Sequence, residues 1–178
     1  IAAAHTPFDV NGQLNLSVIE QQAAHFLSQG VRAAFICGST GESHSLTLEE
    51  RRQIATRWRE VVQGTELKLV VHVGCNCLED AAELSAHAQQ LGVDAIAALS
   101  PSYFKPPSLE ILIQSMQQIA QRAAGTPFYF YDIPSMTGVQ WPMWEFLERA
   151  QGAISNLVGL KFTNVDMASL QKCLWADG

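Results

Sequence analysis

Two joints in the chain, Gln29-Gly30-Val31-Arg32-Ala33 and Leu91-Gly92-Val93-Asp94-Ala95, resemble one another. Each places a helix-stopping glycine and a valine directly before an apolar run. A chain that repeats the step from helix to buried strand is stacking β-α units. Units of about 30 residues suit parallel strands joined by helical crossovers. Such units have two outcomes, a doubly wound open sheet or a (β/α)8 barrel. No G-x-G-x-x-G follows the first strand and no G-K-[ST] phosphate loop occurs, which weakens the nucleotide-binding sheet. If the units close into a barrel, the 178 residues make an incomplete one, because a barrel usually takes about 250.

Strands are expected over residues 1–6, 33–37, 69–73, 95–99, 128–131 and 157–162. The helices between them carry their own start signals. Ser17 with Glu20, and Thr47 with Glu50, have the spacing of capping boxes. Asn76 and Glu79 open the helix that ends at Gly92, and Pro142 suits the first turn of a helix running to about residue 150. A further helix starts near Met167. The loops 100–107 and 132–141 follow the fourth and fifth strands. The apolar start at Ile1 reads as the inside of a strand, so further chain is expected before it.

With 48% hydrophobic and 16% charged residues, the chain can bury one globular core. A formal net charge of -6 without a basic stripe argues against nucleic acid or an anionic membrane surface as partner. No apolar run approaches the ~20 residues of a membrane span. Cys75-Asn76-Cys77 lacks zinc-site spacing, and Cys37, Cys75, Cys77 and Cys173 read as the reduced thiols of a cytosolic protein.

In either architecture ligands sit at the C-terminal ends of the strands. Few polar residues fall there. Lys161 lies near the end of the sixth strand, where alternation puts Gly159, Lys161 and Thr163 on one face and Val158, Leu160 and Phe162 on the other. Burial would push such an ammonium toward the neutral amine that attacks a carbonyl, whereas a lone lysine can also snorkel to solvent. Gly38-Ser39-Thr40-Gly41 is either a tight turn or a place where backbone N–H groups and two hydroxyls hold an anion. Tyr131 and Tyr103 taken singly fit a core and a loop tyrosine. Cys37, His5 and His72 fit packed core positions, and Glu42 a structural loop carboxylate. Taken together, lysine, tyrosine and turn suit one chemistry. The amine condenses with a 2-oxo acid, the imine serves as electron sink for carbon–carbon cleavage, and the phenol moves the proton.

Gly38-Ser39-Thr40-Gly41-Glu42, Tyr131-Asp132-Ile133-Pro134 with Thr137-Gly138 behind it, and Gly159-Leu160-Lys161 occur in an order that resembles the dihydrodipicolinate synthase/N-acetylneuraminate lyase family. The similarity runs over essentially the whole chain. It implies an α/β fold, the (β/α)8 TIM barrel, here incomplete with about six of eight units in one partial domain over residues 1–178. It also implies a cytoplasmic homotetramer that cleaves sialic acid to N-acetylmannosamine and pyruvate. By motif match Lys161 is the Schiff-base lysine and Tyr131 the acid/base. Ser39 and Thr40 hold the pyruvate carboxylate, Thr163 contacts substrate, and Ser39 links Tyr131 toward Tyr103 in a proton relay. The substrate is a small 2-oxo acid, with no metal and no cofactor beyond the covalent imine at Lys161.

Two departures bear on this. Met136 stands where the synthase branch carries an arginine for its second substrate's carboxylate, and a thioether cannot make that bidentate contact. The sequence also stops at Gly178, before the family's seventh and eighth strands. An open arc exposes unpaired edges, so the stretch alone is expected to be inactive. The alternative activity is another pyruvate-dependent class I aldolase or dehydratase, such as a 2-keto-3-deoxy sugar acid aldolase or 4-hydroxy-tetrahydrodipicolinate synthase. A non-catalytic module fits poorly with Lys161, Tyr131 and Ser39 all in place.

Overall fold

The computed structural model describes residues 1–176, so the expected domain over 1–178 runs past the described residues at Asp177 and Gly178. Strands β1 (Ala2–Ala3), β2 (Ala33–Ile36), β3 (Lys68–His72), β4 (Ala95–Leu99), β5 (Phe128–Asp132) and β6 (Leu157–Phe162) alternate with helices. The helices are α1 (Val18–Ser28), α2 (Leu48–Val62), α3 (Leu78–Leu91), α4 (Leu109–Ala120), α5 (Pro134–Thr137), α6 (Met143–Ala150) and α7 (Met167–Trp175). The strands form one parallel sheet in the sequential order β1 to β6.

That order has no point where the winding reverses, which a doubly wound sheet requires. Packing makes the same distinction. Ala34, Ile36, Leu69, Val71, Ile96, Ala98, Phe128 and Phe130 join helix residues such as Ile54, Trp58, Leu112 and Phe146 in the main core. The alternate positions, Phe35, Val70, Ala95, Ala97, Leu99 and Tyr131, form a separate cluster joined by Tyr129 and Ile133. Helices therefore cover a single face, and the sheet is a half-barrel.

Both repeated joints work as their sequence implies. Gly30 (φ 71°) and Gly92 (φ 68°) take the left-handed backbone that ends a helix, with Val31 N–H donating to Phe26 O and Val93 N–H to Ala88 O. Thr47 and Glu50 form the expected reciprocal capping box.

Other local expectations fail for identifiable reasons. Ser17 does not cap α1, because it already has helical angles and its hydroxyl donates to Asn15 Oδ1 at 2.7 Å. Asn76 does not cap α3 either; its Oδ1 accepts from the backbone N–H of Ser102 and of Tyr103, tying the β3 and β4 loops together. His5 lies outside the two-residue β1 and is exposed, not packed. The 132–141 loop contains the short α5, opened by Pro134.

Alternation along β6 also breaks. Register shifts where Phe128 pairs Leu157 but Tyr129 pairs Gly159, so Val158 is the extra residue of a bulge and is 48% exposed. Gly159, at φ 152°, supplies the backbone that the bulge demands. Leu157, Leu160 and Phe162 pack toward the helices, and Lys161 is left on the strand-only face.

Candidate active site

Tyr131 and Lys161 are paired across β5 and β6. Lys161 Nζ lies over the Tyr131 ring, 3.7 Å from its centroid, and 5.0 Å from the centroid of Phe35. Two ring faces hold the ammonium here, and among the described residues it has no carboxylate partner. Lys161 is half-buried, since β6 is an edge of the sheet. Tyr131 itself is 4% exposed, and its ring meets Phe35 edge-on at 5.5 Å. Its hydroxyl reaches Ser39 Oγ at 3.4 Å.

Ser39 is presented by a turn with little freedom. Cys37 (φ 54°) and Glu42 (φ 58°) are non-glycine residues in left-handed backbone, which side chains disfavour. A Cβ at Gly38 would stand 2.4 Å from Phe35 Cε1, so only glycine lets the turn lie against that ring. Thr6 Oγ1–H donates to Gly41 O at 2.7 Å, and Glu42 N–H to Ser39 O at 3.1 Å. Thr40 is exposed, with no side-chain hydrogen bond among the described residues.

Thr163, at the rim, donates its hydroxyl to Asp132 O at 2.5 Å and keeps lone pairs to accept from a ligand. Tyr103 is 79% exposed and stacks edge-on with Phe104. Tyr131 thus meets Ser39, and no hydrogen bond continues from Ser39 to Tyr103 among the described residues. A cavity of about 440 Å³ opens beside Phe35, Tyr129, Lys161 and Thr163. A second, of about 390 Å³, is lined by Ser39, Glu42, His44, Ser102, Met136 and Thr137. The Tyr131 phenol connects the two groups of residues, ring toward Lys161 and hydroxyl toward Ser39.

Sequence reasoning placed His72 in the core, where it is 0% exposed, but passed over Phe35 and Arg51 as supports of this arrangement. Phe35 reads in the sequence only as an apolar strand residue, and its ring lies against the turn at Gly38. Arg51 is buried on α2 and donates to Gly74 O at 3.2 Å and His72 O at 2.8 Å, with no carboxylate partner among the described residues. His72 is held well below its ordinary pKa by burial and then by the Arg51 charge, so it is neutral. Burial pushes the Cys37 thiol up to about 11 against the opposing pull of Arg51, which makes it a poor nucleophile. Asp132 faces away from Tyr131, toward a cavity shared with Trp144 and Lys172, and burial raises its carboxyl to about 6. No cluster of three or more metal-ligating side chains occurs among the described residues.

Chemically, an amine beside a phenol, with a hydroxyl-bearing turn on the phenol's far side, suits covalent binding of a small carbonyl compound bearing an anionic group. Helices on one face only, and polar groups gathered where the strands end, mark the class as a (β/α)8-barrel protein. The chain belongs to the dihydrodipicolinate synthetase family, whose profile matches residues 1–176. The family's members are lyases that form a Schiff base.

The chain is 37% identical over 175 residues to N-acetylneuraminate lyase A of Xenopus laevis, covering 98% of this chain and 57% of that protein. It is 38% identical over 177 residues to the Homo sapiens N-acetylneuraminate lyase, covering 98% and 55%. Among solved structures, Proteus mirabilis N-acetylneuraminate lyase superposes with a TM-score of 0.95 at 37% identity, over 99% of this chain and 59% of that one. Cyanidioschyzon merolae DHDPS with lysine bound superposes with a TM-score of 0.91 at 29% identity, over 99% and 59%. The chain therefore spans a little over half the length of the relatives it matches.

Proposed function

We propose that this chain forms the imine-forming part of an N-acetylneuraminate lyase. Lys161 in its neutral form attacks the C2 ketone of the open-chain sugar acid, and loss of water leaves an imine. Tyr131, left as phenolate when its proton departs with the water and the imine stays protonated, takes the C4 hydroxyl proton as the C3–C4 bond breaks. The electron pair passes into the imine, releasing N-acetylmannosamine and leaving the pyruvate enamine on Lys161. Protonation of the enamine carbon and hydrolysis return pyruvate and the free amine. Ser39 and Thr40 receive the carboxylate, and Thr163 accepts a hydrogen bond from a substrate hydroxyl. No metal or separate cofactor enters these steps.

The observation that carries the reading is the Lys161–Tyr131–Ser39 line, with ring contact at 3.7 Å and hydroxyl contact at 3.4 Å. Met136 favours the lyase over a synthase, because an exposed thioether in the Ser39 cavity offers nothing to a second carboxylate. The N-acetylneuraminate lyases of Xenopus and Proteus mirabilis reach 37–39% identity, above the 28–31% of the superposed synthases, a range that Ruminococcus gnavus sialic acid aldolase shares at 29–31%. We further assign the whole protein as a cytoplasmic homotetramer acting on a small 2-oxo acid, without nucleic-acid or membrane partners. No described helix is long and apolar enough to cross a membrane.

Borohydride reduction in the presence of pyruvate should add a stable mass to Lys161 in the protein expressed from its complete gene. An adduct on a different residue, or none, overturns the reading. Turnover of N-acetylneuraminate compared with a 2-keto-3-deoxy sugar acid separates the lyase from a related aldolase.

A further inference from the structure

Resting on that reading, we propose that His72 is a positioning residue: one imidazole fixes both the turn that receives the substrate carboxylate and the phenol that moves the proton.

The turn begins at Cys37, whose left-handed backbone is unfavourable for a residue with a Cβ and persists only where its surroundings impose it. His72 supplies that constraint. Its Nδ1 lies 2.8 Å from Cys37 O, the carbonyl one residue before Gly38. Its Nε2 receives the Leu99 N–H at 3.4 Å. These partners settle the tautomer. A carbonyl demands a donor and an amide N–H demands an acceptor, so the proton is on Nδ1. The Arg51 Nη2 contact with Nδ1, at 3.5 Å, then sets donor against donor and is not a hydrogen bond. Arg51 instead clamps the strand end by donating to the carbonyls of His72 and Gly74.

The ring's faces and edges are also committed. It meets the Tyr131 ring edge-on at 5.7 Å and 87°, and the Phe35 ring at 6.2 Å. Gly74 is bare where a Cβ would come within 3.0 Å of His72 Nε2 and 2.7 Å of Leu99 N, so the backbone leaves room for the imidazole. His72 is 0% exposed, out of reach of substrate, and therefore acts through Cys37 and Tyr131. The Ser39–Tyr131 hydroxyl contact lies between the two elements it holds.

His72→Asn and His72→Gln separate this role from mere packing. Asparagine can offer its amide N–H to Cys37 O from the Nδ1 position and leaves Leu99 N–H unpaired. Glutamine reaches the Nε2 position and releases Cys37. In the full-length protein, H72Q should raise KM for the substrate ~10-fold or more and slow borohydride trapping of pyruvate by a similar factor, whereas H72N should hold KM within ~3-fold. Both variants lose the ring against Tyr131, so both should lower kcat ~10-fold or more. Equal KM values in the two variants, or unaltered kcat in both, overturn the inference. Unaltered protein that forms no adduct at Lys161 would instead overturn the aldolase reading, so the two failures are distinct.

Discussion

Lys161 Nζ stands 3.7 Å above the ring of Tyr131, on the face of the aromatic system and not at its hydroxyl. The tyrosine therefore serves two neighbours with different parts of itself. Its π-face stabilises a cation, and its oxygen, directed to Ser39, is free of the amine.

Tyr131→Phe should divide these functions. The phenyl ring keeps its contacts with Lys161 and Phe35, so pyruvate should still be trapped on Lys161 by borohydride. Steady-state cleavage should fall ~10²–10⁴-fold, the usual contribution of a positioned acid/base. Turnover within a few-fold of the unaltered protein would remove Tyr131 from proton transfer.

Ser39→Ala removes the 3.4 Å partner of the phenol and one hydroxyl of the turn, whereas Thr40→Val removes a hydroxyl with no partner among the described residues. The serine variant should lower kcat and raise KM together, each by ~10-fold, and the threonine variant should raise KM alone. Parallel effects in the two would show that Ser39 does not act on Tyr131.

Gly38→Ala brings a Cβ to 2.4 Å from Phe35 Cε1, closer than carbon atoms tolerate. Overpacking of this kind costs about 1–3 kcal/mol. Because Phe35 also lies under Lys161, activity should fall with stability. A double-mutant cycle with Phe35→Leu, read by urea unfolding, should show that the smaller partner recovers part of the loss. Additive destabilisation would mean that the ring simply moves aside.

Much of this was legible in the chain. The glycine–valine joints gave the unit boundaries because a left-handed helix end demands glycine, and Gly30 and Gly92 both adopt it. The ordered motifs gave Lys161, Tyr131 and Ser39, which the fold brings together. Elements decided by tertiary contact were hidden. Asn76 looks like a cap but holds the Ser102–Tyr103 backbone, a partner 26 residues away. Val158 fits the alternation until the pairing with β5 inserts a bulge. His72 was legible as a core residue but its partners were not, and Arg51 is a single polar letter in an amphipathic run that only burial turns into a support.

Asp132 gives the chain a pH signature. An unfolded carboxyl titrates near 3.8 and the folded one near 6, raised by burial. Between those values the folded protein holds a proton that the unfolded chain has released, so stability falls as pH rises through this window and stays lower above it. Asp132→Asn should erase the effect, raising stability at pH 7.5 by about 1–3 kcal/mol with little change at pH 4. Neutral His72 works in the opposite sense, since its depressed pKa removes stability as pH falls below about 6.5. Comparing the Asp132 variant with its parent at each pH, by urea midpoint, isolates the carboxyl. A variant that gains nothing at pH 7.5 would refute the assignment.

Arg51 sits behind the turn of Cys37 and Gly38 with the carbonyls of His72 and Gly74 for company and, among the described residues, no carboxylate partner. Burial lowers its pKa from the ordinary arginine value, the guanidinium keeps its charge, and dissolved salt screens it poorly. Its pull already reaches the Cys37 thiol at the root of the turn. Capture of an oxo-acid's negative end should therefore vary little with ionic strength, in contrast to sites that attract anions with surface lysines.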